Sequence, residues 1–576
     1  MACNELVIRI AGEAGEGVIS TGELVTRAAA REGFHLATYK IFPAEVKGGH
    51  SVFQLRLSSS QVLTPGDKVQ LLVAMNLESF RRHHSDLAPS ATVVYDSSVY
   101  QPDTLPPDAT PVGIPFQSLA RDELQFELGK NMIAVGALAE LLALPTEDIT
   151  TRVTKKFQKK GERIVQKNLG ALEVGVAYVR EAFAALDHLR LTAPTSKEAL
   201  MIATGNEALA LGAMTYGVKH FYGYPITPAS EVMEFMALHL PKVGGLMLQA
   251  EDEIASLAMV VGASFSGVPA MTATSGPGLS LMTEALGLAA IVETPLVIVD
   301  VQRAGPSTGM PTKMEQSDLY IALFGGHGDL PRVVIAPLSV PDCFEQAIVA
   351  FNVAESLQLP VIVLSDQSMA MRAETILRPA VSQVTRLQRL LWDGQSLPFE
   401  RFRVTPDGVS PMAIPGMPGG QHVVSGLEQS EDGRPRYDGE THTAMTTKRF
   451  KKLLRVGELV ETAERFGDQE ADIGILTWGS SAGPALEAVS LLQQRGRPVS
   501  GMALRLLSPF PMEDVLTFVN SCKAVVIAEV NFQGQLASLI EGRQDNGTTI
   551  KKLTSIQGLP FRTGELIAAL EEVAQR

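Results

Sequence analysis

The stretch PAMTATSGPGLSLMTEALGLAAIVETPLVIVDVQR, residues 269–303, contains two apolar runs of strand type with a helical run between them. A turn of small residues, SGPG, joins the first run to the helix, and proline is common at a helix start. Strands that alternate with helices form parallel sheets whose two faces are covered. The stretch therefore predicts an α/β domain, and ligands of such sheets bind beyond the carboxyl ends of the strands.

The same alternation recurs on both sides and predicts a multidomain α/β protein. A chain of 576 residues exceeds what one core supports, and 45% hydrophobic with 19% charged residues is ordinary for a globular protein. We expect α/β domains at residues 1–190 and 195–375, a linker with ordered loops at 376–470, and a third domain at 471–576.

Composition excludes several classes of function. The net charge of −14 is spread without long blocks of one sign, which argues against nucleic-acid binding because such proteins present a basic face. Cys3, Cys343 and Cys522 are too far apart for a CxxC pair, so the chain alone predicts no metal or iron–sulfur site. The best apolar stretch is interrupted by Glu293 and Pro295. With no signal peptide or membrane span predicted, we expect a cytoplasmic protein.

A glycine loop follows the first predicted strand. ELVIRIAGEAGEG places Gly12, Gly15 and Gly17 between a strand and a helix, where backbone N–H groups can approach an anion. The spacing is not the GxGxxG of dinucleotide folds, so a phosphate-binding loop and a merely tight turn both stay open. Lys47 and His50 of PAEVKGGHS are weaker candidates, with solvated loop charges as the alternative.

Two loops of the second domain carry polar residues at predicted helix starts. In GYPITPASEVME, Thr227 follows a strand, and its hydroxyl could cap the next helix or donate to a ligand. In LMLQAEDEIASLAMVVGASFSG, Glu251 and Glu253 begin an apolar helix, where acids are favourable in any case. Each loop therefore has a structural and a functional interpretation.

A further loop, VDVQRAGPSTGMPTK, is the most specific. Arg303 ends an otherwise apolar strand, where its guanidinium is well placed to bind a carboxylate with two hydrogen bonds. An interface salt bridge is the alternative. Thr312 and Lys313 add donors, and Ser275 and Gly276 of the SGPG turn permit close approach of a ring or a partner chain.

YPITP, EDEIASLA and QRAGPSTGMPTK closely resemble the α subunit of 2-oxoacid:ferredoxin oxidoreductases, and the glycine loop with PAEVKGGHS is similar to their γ domain. The resemblance implies a fused chain: a Rossmann-like γ domain associated with coenzyme A, a thiamine-diphosphate pyrimidine-binding domain, and a transketolase C-terminal-like domain. It implies that Thr227 and Arg303 contact the substrate carboxylate and that Thr312 tunes the choice of oxoacid. Cofactor contacts are expected from Tyr224, Pro225, Ile226, Glu251, Ser275 and Gly276.

By the same resemblance Glu253 is the catalytic carboxylate. Thiamine enzymes hydrogen-bond a carboxylate to the aminopyrimidine ring, which favours the tautomer whose nitrogen takes the thiazolium proton. Glu253 precedes the small pair Gly262 and Ala263 by nine residues, as the equivalent glutamate does in pyrimidine-binding domains. Glu251 is the alternative for this role.

Two missing features imply a partner. The sequence has no GDG motif to hold Mg²⁺ and the diphosphate, and its cysteines cannot form the cluster that electron transfer to ferredoxin needs. A separate β subunit would carry the Mg²⁺ site and a [4Fe-4S] cluster, and share thiamine diphosphate in a dimer of heterodimers. Glu529, Asn531 and Gln535 of the third domain are expected to be assembly contacts.

The segment TPDGVSPMAIPG, residues 405–416, is similar to members that act on 2-oxoglutarate, although Met412 stands where those members have a basic residue. The implied reaction is CoA-dependent oxidation of 2-oxoglutarate to succinyl-CoA with reduction of ferredoxin, or its CO₂-fixing reverse, as in a reductive TCA cycle. The alternatives are a pyruvate or broad-range oxidoreductase, a non-redox thiamine-diphosphate lyase or transferase, and a non-catalytic acyl- or CoA-binding scaffold.

Overall fold

The computed structural model describes residues 4–41, 49–192, 194, 199–395, 398–545 and 547–575. Contacts divide the chain into two units: Met1–Ala203 with Arg372–Arg378, and Thr204–Met371 with Pro379–Arg576. The strands in the described ranges form three sheets. The prediction of a multidomain α/β fold is confirmed. Among the helices of the described residues, none is long and apolar enough to cross a bilayer.

The first unit contains one sheet and the helices that cover it. Its strands are β1 (Glu5–Glu13), β2 (His35–Ile41), β3 (His50–Ser58), β4 (Val69–Ala74), β5 (Leu87–Asp96), β6 (Thr110–Ile114), β7 (Leu200–Thr204) and β14 (Ala373–Leu377). Its helices are α1 (Val18–Arg31), α2 (Leu77–His83), α3 (Phe116–Ser118), α4 (Lys130–Leu142), α5 (Thr146–Phe157) and α6 (Glu162–Ala182).

This sheet has the strand order β6-β5-β4-β1-β3-β2-β14-β7 and is mixed. β1 is parallel to β4, but β3 is antiparallel to both β1 and β2. The expectation of purely parallel strands is wrong here for a physical reason. Residues 42–49 alone join β2 to β3, which is shorter than the crossover of about a dozen residues that parallel neighbours require.

The second unit contains two sheets. Its strands are β8 (His220–Gly223), β9 (Leu246–Gln249), β10 (Ala270–Thr274), β11 (Leu296–Gln302), β12 (Val333–Ile335), β13 (Pro360–Asp366), β15 (Ala463–Gly467), β16 (Ile473–Trp478), β17 (Ser500–Leu504), β18 (Leu506–Ser508), β19 (Ala524–Glu529) and β20 (Thr549–Thr554). Its helices are α7 (Gly205–Tyr216), α8 (Ser230–His239), α9 (Glu253–Phe265), α10 (Gly276–Ile291), α11 (Leu319–Phe324), α12 (Val340–Leu357), α13 (Gln367–Met371), α14 (Gly439–Lys451), α15 (Ala482–Gln494), α16 (Met512–Ser521), α17 (Gln535–Ile540) and α18 (Thr563–Ala574).

The larger sheet of this unit positions the predicted loops. Its order is β18-β12-β13-β11-β10-β8-β9, and β10 pairs in parallel with both β8 and β11. All of β11 is buried, which explains its continuous apolar sequence. Because the strands are parallel, the loops that follow β8, β10 and β11 emerge at one edge, and these loops carry Thr227, Gly276 and Arg303.

Three segments of the chain differ in their pairing or structure from what the predicted domain ranges suggest. The domain ranges remain predictions. β14 crosses the end of the range 195–375, but it pairs with β2 of the first unit. β18 comes from the range 471–576 but pairs antiparallel with β12. The range 376–470 contains α14 and β15 and buries several side chains that include Arg401, Phe402 and Met412.

Candidate active site

Glu253 is the first residue of α9, whose N-cap residue Asp252 accepts a hydrogen bond from the Ala255 N–H at 2.7 Å. The Glu253 side chain is 6% exposed, whereas Glu251 is exposed. Within the part of the chain that the structure describes, no donor reaches the Glu253 carboxylate. Burial therefore separates the two glutamates that the sequence left as alternatives.

Gly278 provides the space for the Glu253 side chain. A Cβ at Gly278 would lie 2.7 Å from Glu253 Cγ and 2.0 Å from Thr274 Oγ1, both far inside contact distance. The SGPG turn is therefore more than an ordinary strand-to-helix connection. Ser275, the N-cap residue of α10, is fully buried, and its hydroxyl has no hydrogen-bond partner among the described residues.

Arg303 follows β11 and is 6% exposed. Its Nη1 donates to the backbone carbonyl of Thr227 at 2.7 Å, while Nε is buried without a partner in the described ranges. Burial lowers the pKa of Arg303 and the charge of Asp318 acts to raise it, so the group stays cationic at neutral pH. The guanidinium is thus directed to this edge of the sheet.

Thr227 does not cap the following helix. The N-cap position of α8 is occupied by Ala229, with no side-chain hydrogen bond. The Thr227 side chain is exposed, and its hydroxyl makes no hydrogen bond to the residues that are described. Of the two interpretations of this residue, donation to a ligand is the one that the geometry leaves open.

A cavity of about 880 Å³ opens next to Arg303. It combines polar groups with exposed apolar side chains such as Phe532 and Ile556. Its walls are Gly276, Pro277, Ser280, Arg303, Gly305, Pro306, Ser307, Met310, Glu315, Ser317, Asp318, Tyr320, Ile321, Asn531, Phe532, Gln533, Gln535 and Ile556.

The cavity wall includes two of the predicted ligand-binding residues, Arg303 and Gly276, and two of the expected assembly contacts, Asn531 and Gln535, but not Glu253 or Thr227. Thr312 and Lys313 are half-buried outside its walls, and the Lys313 stem packs on Gly558. The structure places Arg303 and Gly276 on the cavity wall and links Arg303 to Thr227 by a hydrogen bond. Lys313 is not a wall residue, but its carbonyl accepts a hydrogen bond from the N–H of Ala304, next to Arg303, at 3.0 Å.

Sequence reasoning missed two acidic residues at this edge. Asp300 is fully buried within β11, and burial together with Asp318 raises its pKa well above the ordinary value. Burial and the nearby charge of Glu315 raise the pKa of Asp318 to about 7. The signal was present in the sequence, since Asp300 is a lone acid in the apolar run LVIVDVQ.

Asn531 and Gln535, expected to be assembly contacts, bind within the chain. The Asn531 side-chain amide donates to the Gln316 carbonyl at 3.1 Å, and that of Gln535 donates to the Ser317 carbonyl at 2.9 Å. Glu529 accepts hydrogen bonds from the backbone of Leu536 and Ala537, among others. The Asn531 and Gln535 hydrogen bonds connect the segment after β19 to the loop after β11.

The glycine loop of the first unit forms a tight turn in which Gly15 and Gly17 have φ of +102° and +79°. A carboxylate of the chain itself occupies the turn: Glu16 Oε2 accepts from the Glu13 N–H at 2.8 Å and from Asn76 at 3.0 Å. A Cβ at Gly12 would lie 2.7 Å from the same oxygen. These contacts account for the glycines without a ligand, and phosphate binding stays a prediction.

His50 lies at the start of β3, and its Nε2 is 2.7 Å from Nε2 of His83. Arg9 contacts the other ring nitrogen of His83 at 3.0 Å. Burial lowers the pKa of both histidines, that of His83 to about 3, so both rings are neutral at neutral pH. Lys47 is outside the described residues.

Comparison with known proteins covers all three parts of the chain. Residues 7–178 match the family model described as pyruvate ferredoxin/flavodoxin oxidoreductase, residues 211–448 its thiamine-diphosphate-binding model, and residues 471–566 the pyruvate:ferredoxin oxidoreductase core domain II model. The 2-oxoglutarate oxidoreductase subunit KorA of Mycobacterium tuberculosis is 34% identical over 97% of this chain and 90% of its own.

This chain belongs to the 2-oxoacid:ferredoxin oxidoreductase family. The α subunit of 2-oxoacid:ferredoxin oxidoreductase 2 from Aeropyrum pernix is 30% identical over 99% of this chain and 98% of its own. A solved 2-oxoglutarate:ferredoxin oxidoreductase from Magnetococcus marinus is 42% identical with a TM-score of 0.93, covering 99% of both chains. Relatives of this oxidoreductase subunit are named α subunits, which implies that other subunits complete the enzyme.

The oxidoreductase chain has a thiamine-diphosphate-binding domain, and its geometry fits the cofactor. An aminopyrimidine ring requires a semi-buried carboxylate that the protein itself leaves unbonded, and Glu253 meets this requirement in the described structure. No three His, Cys, Asp or Glu side chains of the described residues gather as a metal-binding group.

Proposed function

We propose that this chain is the α subunit of a CoA-dependent 2-oxoglutarate:ferredoxin oxidoreductase. The observation that carries the proposal is the placement of Arg303, a buried guanidinium that reaches the cavity and is oriented by the Thr227 carbonyl. Such a group binds a carboxylate, which every 2-oxoacid has, with charge-assisted hydrogen bonds. The exposed Thr227 hydroxyl adds a donor at the same edge.

Glu253 would hold the aminopyrimidine ring of thiamine diphosphate. Its burial and its lack of a partner in the described residues suit a carboxylate that accepts a hydrogen bond from the ring. The chemistry that the cofactor supplies when bound is carbanion stabilisation, which 2-oxoacid decarboxylation needs. The further contacts proposed for the cofactor are Tyr224, Pro225, Ile226, Ser275 and Gly276.

Two relatives favour 2-oxoglutarate over pyruvate as the substrate. The Magnetococcus marinus enzyme was solved with 2-oxoglutarate, coenzyme A and succinyl-CoA bound, and the Mycobacterium tuberculosis relative is a 2-oxoglutarate oxidoreductase subunit. The segment 405–416 supports the choice less than its sequence suggests, because Met412 is fully buried beside Arg389. Its residues are absent from the cavity wall.

A β subunit would complete the enzyme. We propose that it supplies the Mg²⁺ and diphosphate site and a [4Fe-4S] cluster, and that two αβ pairs associate. Cys343 and Cys522 are both buried here, which leaves neither of them available as an exposed cluster ligand. Coenzyme A would be the second substrate and ferredoxin the electron acceptor, with Gly12, Gly15, Gly17, Lys47 and His50 as candidates for CoA or phosphate contacts.

Co-expression with the β chain encoded by the same organism tests this function. The purified complex should reduce a viologen dye when given 2-oxoglutarate and coenzyme A, and less with pyruvate or a branched-chain oxoacid. Faster reduction with pyruvate would reassign the substrate. If the partner has no cluster and the complex consumes the oxoacid without reducing the dye, a non-redox lyase is favoured. Turnover by the 576-residue chain alone would overturn the need for a partner.

A further inference from the structure

Asp300 is fully buried in β11, and Asp318, the N-cap residue of α11, is half-buried with one buried carboxyl oxygen. Within the described ranges, both groups have carboxyl oxygens that are buried without the hydrogen-bond partners that an ionised carboxylate needs. Both oxygens of Asp300 and Oδ2 of Asp318 lack hydrogen-bond partners among the described residues. A buried negative charge without compensation is unfavourable enough that a carboxyl group takes up a proton instead. The mechanism proposed above uses neither group.

The fold places the two groups one behind the other. Asp300 and Gln302 are two positions apart on β11 and so point to the same face of the sheet. Gln302 Oε1 accepts a hydrogen bond from the Asp318 N–H at 3.1 Å, which holds Asp318 over that face. A Cβ at Gly276 would lie 2.6 Å from both carboxyl oxygens of Asp318, so the group packs on the start of α10.

Asp318 is the member of the pair that reaches the cavity, where it shares the wall with Arg303. The charged groups that face it are Glu315, Asp300 and Arg303. Burial and Glu315 raise the pKa of Asp318 to about 7, while Arg303 opposes the shift. Asp300 has no contact with the cavity and is fully buried, with a pKa raised by burial and by Asp318.

We propose that Asp318 presents a neutral carboxylic acid to the cavity when the oxoacid binds. An ionised Asp318 would compete with the substrate carboxylate for the charge of Arg303, because both anions would face one guanidinium. A neutral Asp318 leaves that charge to the substrate. The inference rests on the proposed role of Arg303 as the carboxylate-binding residue.

Steady-state kinetics of the complete enzyme test the inference. In the natural protein, KM for the oxoacid should rise as the pH passes upward through about 7, with kcat changing less. Asp318→Asn, which fixes a neutral side chain of the same shape, should abolish this pH dependence. Asp300→Asn is the matched control: burial and Asp318 raise the pKa of Asp300 well above its ordinary value, so a neutral amide there should leave the pH dependence of KM in place.

A pH profile of KM that is the same in the natural protein and in Asp318→Asn, or one that is lost in Asp300→Asn alone, would overturn the inference. Thermal unfolding of each variant shows whether a change in KM is a loss of fold. Both substitutions replace a carboxyl group by an amide of the same size, which keeps the packing of β11 and α10.

Infrared difference spectroscopy of the isolated chain separates this inference from the proposed function. A carbonyl stretch of a protonated carboxylic acid should be present below neutral pH, disappear above it, and be lost in Asp318→Asn. Absence of this titration rejects the neutral Asp318 even if the enzyme oxidises 2-oxoglutarate. Its presence supports the protonation whatever oxoacid the enzyme prefers.

Discussion

Arg303 Nη1 donates a hydrogen bond to the backbone carbonyl of Thr227 across 2.7 Å. The two residues follow β11 and β8, which are not neighbours in the sheet because β10 lies between them. The hydrogen bond therefore fixes the guanidinium across the carboxyl end of an intervening strand. In the proposed function, the carboxylate of the oxoacid would enter at this edge and pair with the charge of Arg303.

Replacing Arg303 by alanine should raise KM for the oxoacid about ten- to hundred-fold, because a charge-assisted hydrogen bond to the substrate contributes about 1.5–3 kcal/mol. Steady-state kinetics of the complete enzyme measure the change. Arg332→Ala is a matched control, since Arg332 is also buried in the second unit but is not a wall residue of the cavity; in the described ranges its side chain donates to the Ala322 carbonyl. An equal KM in Arg303→Ala and the natural protein would remove Arg303 from the substrate site.

Glu253→Gln should lower kcat by about 10²–10⁴-fold, the range of a positioned proton-transfer group, while assembly with the β subunit continues. Activity and gel filtration of the complex measure the two effects. Glu251→Gln is the comparison, because Glu251 is exposed two residues before Glu253 on the same loop. Full activity in the first variant and loss in the second would transfer the role to Glu251.

Gly278→Ala should displace the Glu253 side chain, since the added Cβ would lie 2.7 Å from Glu253 Cγ and 2.0 Å from Thr274 Oγ1. We expect loss of activity together with a destabilisation of about 1–3 kcal/mol from overpacking. Gly287→Ala tests the same change in the same helix, where a Cβ would meet no atom within 4 Å. Denaturation of Gly287→Ala should show a stability gain of up to about 1 kcal/mol. Equal changes in stability and activity in the two variants would contradict a clash of the added Cβ with Glu253.

Glu293 joins the 376–470 segment to the end of α10 through two buried lysines. Lys448 Nζ lies 2.5 Å from Glu293 Oε1, and Lys452 Nζ lies 2.5 Å from Glu293 Oε2. All three side chains are buried. Burial alone would raise the pKa of Glu293, but the charges of Lys452, Lys448 and Arg401 together outweigh it and hold the pKa to about 2. The Glu293 carboxylate therefore contributes stability above its ordinary pKa of 4.5, and this contribution is lost as the pH falls through about 2. Burial lowers the pKa of Lys452 to about 7, so the charge of this partner is lost as the pH rises through that value.

Glu293→Gln should destabilise the chain by about 3–5 kcal/mol at neutral pH, because it leaves two buried lysines without a counter-charge. Urea denaturation measures the difference in the free energy of unfolding between this variant and the natural protein. This difference should shrink as the pH is lowered below 4.5. Glu458→Gln removes an exposed partner of Arg455 and should cost less than about 1 kcal/mol. If both variants lost a similar free energy of unfolding at every pH, the buried ion pairs of Glu293 would not be what stabilises the fold.

The sequence by itself determined the fold class and the family. Alternating strand and helix patterns are local, because each reflects which faces of a few successive turns or residues are apolar. The same local signals located the ends of β8, β10 and β11, and so placed Thr227, Gly276 and Arg303 at one edge. The antiparallel pairings of β14 with β2 and of β18 with β12 had no local signal, since they join segments far apart in the chain.

Tertiary structure alone decided the environment of each candidate. The spacing to Gly262 favoured Glu253 and left Glu251 as the alternative, and the fold buries Glu253 against Gly278 while Glu251 is exposed. Asp300 and Asp318 are eighteen positions apart, and their interaction depends on how the loop after β11 folds back over the strand. Burial and charge are properties of the assembled fold, because the field at a side chain comes from groups that distant segments bring to it.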